Sequence, residues 1–119
     1  MDAAEEGYKL AVKIVFLAKD LEKRRCYAIA NQLIRSGTSV GANLNEAKSP
    51  ESRKDFIHKM KIAQKEAHET TYWLRLIKDT ENIDTSELIS KLWIIMKIIS
   101  KSIHTAKQNL RGPTEEKPF

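Results

Sequence analysis

Apolar residues recur at alternating intervals of four and three positions along most of this 119-residue chain. The pattern is most regular between residues 23 and 47, at Cys26, Ala30, Leu33, Gly37, Val40, Leu44 and Ala47. Such a heptad repeat is typical of an α-helix that packs along one face. It continues through residues 36–41, which local propensity alone would assign to a loop. We therefore predict a helix that runs through them.

Gly37 and Gly41 lie inside that predicted helix. A glycine in a helix interior costs about 0.5–1 kcal/mol relative to alanine. Close approach of a neighbouring helix would compensate, because it requires that no side chain be present. We therefore predict close packing at both glycines.

Three other segments show the same helical periodicity, at about residues 3–21, 50–80 and 85–110. The third segment carries it at Phe56, Met60, Ala63, Ala67, Thr70, Leu74 and Ile77. Four helices joined by short turns predict an all-α fold, an antiparallel up-down four-helix bundle formed by residues 1–111. Residues 112–119 are expected to be a disordered tail, since Gly112 and Pro113 would end the last helix.

Capping residues suggest where these helices begin. Asp2 with Glu5, and Asp84 with Glu87, have the spacing of capping boxes. Ser49 is the expected N-cap of the third helix, with Pro50 in its first turn. Neither Gly nor Pro separates the first two helices, so we place a short turn near residues 20–24.

The fourth segment carries more apolar surface than a monomeric bundle needs. One stripe comprises Leu88, Leu92, Ile95, Ile99, Ser102 and Ala106, and a second comprises Ile89, Trp93, Met96 and Ile103. Ile94 and Ile98 lie further round the helix. Exposed apolar area of this extent is unfavourable on a monomer, so we predict that the chain forms a homo-oligomer.

Positive charge is concentrated in two regions of a chain with 21 Lys and Arg against 16 Asp and Glu. Residues 47–61 carry five basic and two acidic side chains, and residues 84–110 carry four and two. The candidate nucleic-acid contacts are Lys48, Arg53, Lys54, Lys59, Lys61, Lys97, Lys101 and Lys107. The alternative is an ordinary solvated helical surface.

Polar residues form a line beside the seam of the second helix, at Arg35, Ser39, Asn43 and Glu46. A comparable line on the third helix includes Asp55, Lys59, Glu66, Glu69 and Trp73. A charge that is partly buried needs a partner, so we expect Arg35 to pair with Glu66 or Glu69. The line is interpreted as a structural network, while a ligand or catalytic site and a solvated surface stay as alternatives.

Several classes of chemistry lack their motifs. A single cysteine, Cys26, excludes a disulfide framework and a four-cysteine zinc site. Asp55 and His58 are a lone near-match to a di-iron motif, and no phosphate-binding loop is present. The longest apolar runs have five residues and the N-terminus is acidic. We expect a cytoplasmic protein with no membrane partner, no metal, no cofactor and no enzymatic activity.

Residues 35–47, Arg-Ser-Gly-Thr-Ser-Val-Gly-Ala-Asn-Leu-Asn-Glu-Ala, resemble the signature of the 23S rRNA intervening sequence (S23) family. Residues 52–57, Lys65-Glu66 and residues 69–74 resemble a second block of that family. The resemblance implies a bacterial up-down four-helix bundle that assembles as a homopentamer. It also implies kinship with the accessory proteins of diversity-generating retroelements, which are basic pentamers that bind nucleic acid and a reverse transcriptase.

Three functions follow as hypotheses. The first is a non-enzymatic homo-oligomer that binds RNA or DNA through its basic surface. The second is a protein-interaction scaffold or adaptor, for example for a polymerase or reverse transcriptase, with no direct nucleic-acid contact. The third, an enzyme with its site in the polar line, has no catalytic spacing to support it.

Overall fold

The computed structural model describes residues 2–111, which form four α-helices and no strand. The helices are α1 (Ala3–Lys23), α2 (Tyr27–Glu46), α3 (Arg53–Glu81) and α4 (Ser86–Arg111). The predicted all-α class is confirmed, and α2 continues without a break through residues 36–41. The predicted tail lies outside the described residues.

The apolar stripes of all four helices meet in one core. Ile14, Leu33, Leu74 and Leu92, one from each helix, are fully buried in a single cluster. Alanines occupy many of the remaining core positions of α2 and α3, including Ala30, Ala63 and Ala67. The molecule is consequently a thin rod of 55 × 21 × 21 Å.

Each helix contacts the next one, and α1 also contacts α4. The end of α2 meets the beginning of α3, where Lys59 Nζ lies 2.8 Å from Glu46 Oε1. The end of α3 lies beside the beginning of α4, where the buried Thr85 hydroxyl donates to the Leu74 carbonyl at 2.8 Å. Within residues 2–111, no helix is both long enough and apolar enough to cross a bilayer.

Glycines of α1 and α2 allow these two helices to approach each other closely. A Cβ atom built on Gly41 would lie 2.9 Å from the carbonyl carbon and oxygen of Gly7. A Cβ atom on Gly37 would lie 2.7 Å from Cγ2 of the fully buried Ile14. Both predicted close-packing positions therefore lie against α1, and Gly7 is a third member that sequence reasoning missed.

The turn between α1 and α2 comes later than expected. The Cys26 N–H donates to the Leu21 carbonyl and the Arg25 N–H donates to the Glu22 carbonyl, at 2.8 and 2.9 Å. This is a Schellman motif, which ends a helix with one left-handed residue. Arg25 occupies that position with φ 66°, where glycine is usual. Because no glycine lies between the first two helices, the sequence contains no residue that indicates this turn.

The predicted start of α3 needs correction, whereas α4 begins within one residue of its expected position. Ser52, rather than Ser49, caps α3: its hydroxyl accepts from the Asp55 N–H at 3.0 Å, while the Asp55 carboxylate accepts from the Glu51 N–H at 3.1 Å. These two hydrogen bonds fix the residues that precede the helix. Pro50 therefore lies before α3 rather than in its first turn. At α4, the Asp84 carboxylate accepts from the Ser86 N–H, and this bond holds the pKa of Asp84 below its ordinary value.

Candidate nucleic-acid interface

The basic residues collect where the beginning of α3 lies beside the last turns of α4. Residues 53–65 contain five basic side chains and one acidic one, and residues 97–107 contain three basic and no acidic side chains. Residues 88–111 contain no Asp or Glu at all. The Gln64 amide donates to the Ser100 hydroxyl at 2.8 Å, which fixes the two segments side by side.

Two shallow grooves run between these segments. Arg53, Phe56 and Lys101 line one of them, together with Ser102, Thr105, Ala106 and Asn109. Lys54, Ile57, Lys107 and Leu110 line the other. Each groove thus combines apolar floor residues with basic side chains contributed by both helices.

We call this region the basic surface and define it by Arg53, Lys54, Lys61, Lys65, Lys97, Lys101 and Lys107. Lys54, Lys61, Lys65, Lys97 and Lys101 are exposed to solvent, while Arg53 and Lys107 are half-buried. Sequence reasoning missed Lys65, although it follows Lys61 by one helical turn and shares its face. His58 and His104 are exposed among the same lysines.

Lys48 and Lys59, which are among the predicted contact residues, have acidic partners within the described residues. Lys48 Nζ lies 3.8 Å from the Asp2 carboxylate. Lys59 Nζ donates to Glu46 at 2.8 Å, and this hydrogen bond raises the pKa of Lys59 above its ordinary value. Their charges are partly neutralised within the chain, so we leave both out of the basic surface.

Aromatic side chains adjoin the basic surface on the same two helices. Tyr72 is 57% exposed and Trp93 is 54% exposed. The His68 and Trp93 rings meet edge to face, with centroids 6.1 Å apart and an interplanar angle of 83°. Sequence analysis placed Trp93 in an apolar stripe of the fourth helix, but the core takes Leu92 and Met96 and leaves Trp93 outside.

The polar line between α2 and α3 is an ion-pair network. Arg35 Nη1 lies 3.3 Å from Glu66 Oε1, and Arg35 Nη2 contacts the Glu69 carboxylate. The Trp73 indole N–H donates to Glu69 at 3.0 Å. Ser39 and Asn43 instead bond to backbone carbonyls of their own helix, at 2.6 and 2.8 Å. Arg35 is about half exposed, so the network is at the surface.

The other polar groups that sequence analysis examined also have local roles. Both hydrogen bonds of Asp55 belong to the N-terminal cap of α3. Asp55 therefore has a capping role and does not form a metal-binding pair with His58. Burial raises the pKa of the Cys26 thiol, and a hydrogen bond with Glu81 acts in the same direction. Among the described residues, no three His, Cys, Asp or Glu side chains come together as a metal site would require.

Comparison with known proteins agrees with this architecture. The family model "23S rRNA-intervening sequence protein" matches residues 1–105. No curated protein shows significant similarity to the chain. A solved structure from Bacteroides thetaiotaomicron VPI-5482 is similar, with a TM-score of 0.81 and 39% sequence identity. The alignment covers 85% of this chain and 97% of that one, which is described as a protein with unknown function from the S23 ribosomal protein family. Since the family model spans nearly all of the helical region, the chain belongs to the 23S rRNA intervening sequence protein family.

Proposed function

We propose that this protein is a non-enzymatic, cytoplasmic homo-oligomer that binds RNA or DNA through the basic surface of α3 and α4. The observation that carries the proposal is the meeting of residues 53–65 with residues 97–107, which brings the seven side chains of the basic surface onto two adjacent helices. Lysines on a rigid pair of helices attract a phosphate backbone, and their contacts release counterions. The main term in affinity is then electrostatic and independent of sequence.

Assembly would strengthen this attraction. The helix contacts support an up-down arrangement, because the end of α2 meets the beginning of α3 and the end of α3 lies beside the beginning of α4. Exposed apolar side chains on α1, and Ile94 on α4, support self-association. The resemblance to the family implies a pentamer. Five chains of formal charge +5 would carry about +25, which raises both local field and avidity.

A non-enzymatic role fits the state of the polar side chains. Arg35 is held by two carboxylates, Asp55 caps a helix, and Lys59 is paired with Glu46. Each of these groups already contributes to the structure of the fold. The network lies at a surface where water has access, so it lacks the desolvation that usually prepares catalytic groups.

Binding to a fluorescently labelled RNA, measured by anisotropy over a salt series, tests the proposal. Lys61→Gln and Lys97→Gln should each weaken binding and lower the slope of log affinity against log salt by about one. Lys59→Gln is the matched control, since it removes the same charge two residues from Lys61 but from an existing ion pair. An affinity that does not change with salt, or equal losses in Lys59→Gln and Lys61→Gln, would contradict the proposal.

The second candidate function is a scaffold for another protein, and one observation favours it. Tyr8 and Phe16 on α1 are 65% and 63% exposed, and Val12 lies between them. These side chains form an apolar strip remote from the basic surface. Light scattering on the wild type and on Phe16→Ala distinguishes the two uses of this strip. A wild-type mass near five times 13.6 kDa that falls in Phe16→Ala would assign the strip to self-association. A pentamer that Phe16→Ala leaves intact would favour a different protein partner.

A further inference from the structure

Tyr72 on α3 and Trp93 on α4 are large aromatic side chains that the core leaves exposed. Both side chains are more than half exposed, although large aromatic side chains usually contribute strongly to the stability of a core. His68, one helical turn before Tyr72 on α3, contacts Trp93 edge to face at 6.1 Å, and Tyr72 meets the Trp73 ring edge to face at 5.0 Å. We define the aromatic patch as His68, Tyr72 and Trp93.

The aromatic patch is continuous with the basic surface. On α3, Lys61, Lys65, His68 and Tyr72 follow one another at intervals of four, three and four residues, so they share one face of the helix. On α4, Trp93, Lys97, His104 and Lys107 follow at intervals of four, seven and three. The hydrogen bond between Gln64 and Ser100 joins the two rows near their middle. Tyr72 follows Lys61 by eleven positions, which corresponds to about 16 Å along the helix.

We propose that the ligand of this face is single-stranded nucleic acid, whose unpaired bases stack on Trp93 and Tyr72 while its phosphates follow the lysines. The inference rests on the proposed function and specifies its ligand. Bases in a duplex are already stacked on each other, so they have no free face to offer to an aromatic side chain. A row of cations that leads to exposed rings is the arrangement by which proteins bind single strands without reading their sequence.

The exposed aromatic residues of α1 differ in their surroundings. Phe16 has one lysine close by, with Lys19 Nζ 6.0 Å from its ring centroid. Tyr8 lies one turn after Glu5 in a first turn that also contains Glu6. A phosphate backbone would be repelled at that end of α1. The exposed aromatic residues of α1 therefore lack the row of cations that adjoins Trp93.

Tryptophan fluorescence tests the inference directly. In a Trp73→Phe background, Trp93 is the only tryptophan, so its emission reports on this patch alone. Oligomers of about 12 uridines or thymidines should quench the emission on binding, because a base stacks on the indole. The same sequences in duplex form should bind without quenching it. The uridine and thymidine arms show whether RNA or DNA is preferred.

Affinity measurements on Trp93 variants give the second test. Trp93→Ala should weaken binding of the single strand about tenfold and leave duplex binding unchanged. Trp93→Phe should retain most of the affinity because it keeps a ring, whereas Trp93→Leu should lose it although its apolar character is kept. Light scattering on each variant checks that the assembly has the wild-type mass.

Different results would overturn the inference and the proposed function. Unquenched Trp93 emission with normal binding, or full affinity in Trp93→Leu, would overturn stacking and leave the basic surface as the binding site. Trp93 emission that changes on dilution without oligonucleotide would assign the patch to a subunit contact and would likewise overturn stacking. Failure of the wild type to bind any strand or duplex would overturn both proposals.

Discussion

The contact of α2 with α1 and its contact with α3 are built in opposite ways. Towards α1, Gly41 approaches Gly7 so closely that an added Cβ atom would lie 2.9 Å from backbone atoms. Towards α3, Arg35 spans to Glu66 and Glu69, and Lys59 reaches back to Glu46. The first contact is made by backbone in the interior, whereas these ionic contacts between α2 and α3 are made by long charged side chains at the surface.

The two contacts therefore differ in how well they tolerate substitution. A long side chain can move to another rotamer, and water can replace a lost ion pair at little cost. A backbone cannot move aside without shifting its whole helix. We therefore expect substitutions at the α1–α2 contact to be severe, and substitutions at the ionic α2–α3 contact to be mild.

Gly41→Leu should have the largest effect. Its side chain would collide with the Gly7 carbonyl, so α1 would have to separate from α2, at a cost of about 3–5 kcal/mol. Urea denaturation at a fixed protomer concentration measures the loss. Gly37→Leu should also be severe, because even a Cβ atom at Gly37 would lie 2.7 Å from Cγ2 of the fully buried, β-branched Ile14.

Ala28→Leu provides the control for Gly41→Leu, since Ala28 lies on the same helix and is exposed. It should leave the unfolding midpoint close to that of the wild type. If Gly41→Leu unfolds at the same urea concentration as Ala28→Leu, the close approach of Gly7 and Gly41 is not a constraint on the fold.

The next largest effect should come from a hydroxyl pair buried between α2 and α3. Ser36 and Thr70 are fully buried, and their hydroxyl oxygens are 2.9 Å apart. Thr70→Val keeps the shape but leaves the Ser36 hydroxyl without this partner, so we expect a loss of about 2 kcal/mol in unfolding free energy.

A double-mutant cycle checks the role of this pair. Adding Ser36→Ala to Thr70→Val removes the second polar group as well and should recover part of the loss. Losses that simply add would mean that the two hydroxyls are not coupled in the folded protein.

Much of the fold could be predicted because it depends on spacing. The core buries the heptad positions of α2 and α3 except Cys26 and Phe56, which are half-buried. The repeat also identified residues 36–41 as helical despite two glycines. The turn at Arg25 could not be located, since a left-handed arginine leaves no signal in composition. The start of α3 was misplaced because Ser49 and Ser52 are both good caps, and only the Asp55 contacts distinguish them.

The site was less predictable, because it depends on which faces of two helices meet. Charge counts found the basic segments, and spacing found the partners of Arg35. The same reasoning could not separate Lys59, which points to Glu46, from Lys61, which is exposed. It also placed Trp93 in an apolar stripe, since periodicity alone does not show that Leu92 and Met96 take the core positions on either side.

Arg35→Gln should have a small effect on stability. Arg35 is about half exposed, so solvent screens its interactions, and we expect a loss of about 1 kcal/mol or less. Glu69→Gln should cost less than Arg35→Gln, since removing the arginine leaves Glu66 and Glu69 as unpaired neighbours. Urea denaturation at low and high salt measures both, and the difference from the wild type should shrink at high salt. A loss as large as that of Gly41→Leu would show that the ionic contact is as essential as the backbone contact.

The smallest effect concerns pH at the end of the α2–α3 contact. The hydrogen bond to Glu46 raises the pKa of Lys59 above its ordinary value of 10.5, so the folded state holds this proton more tightly than the unfolded state. The resulting stabilisation is complete below pH 10.5 and disappears as pH rises through the raised pKa. An NMR titration of the Lys59 side chain should show its pKa falling towards 10.5 in Glu46→Gln. Glu51→Gln should change it much less, because Glu51 acts only through a weaker Coulombic effect. Equal changes in the two variants would mean that general negative charge, rather than the Glu46 contact, holds this end of α3 against α2.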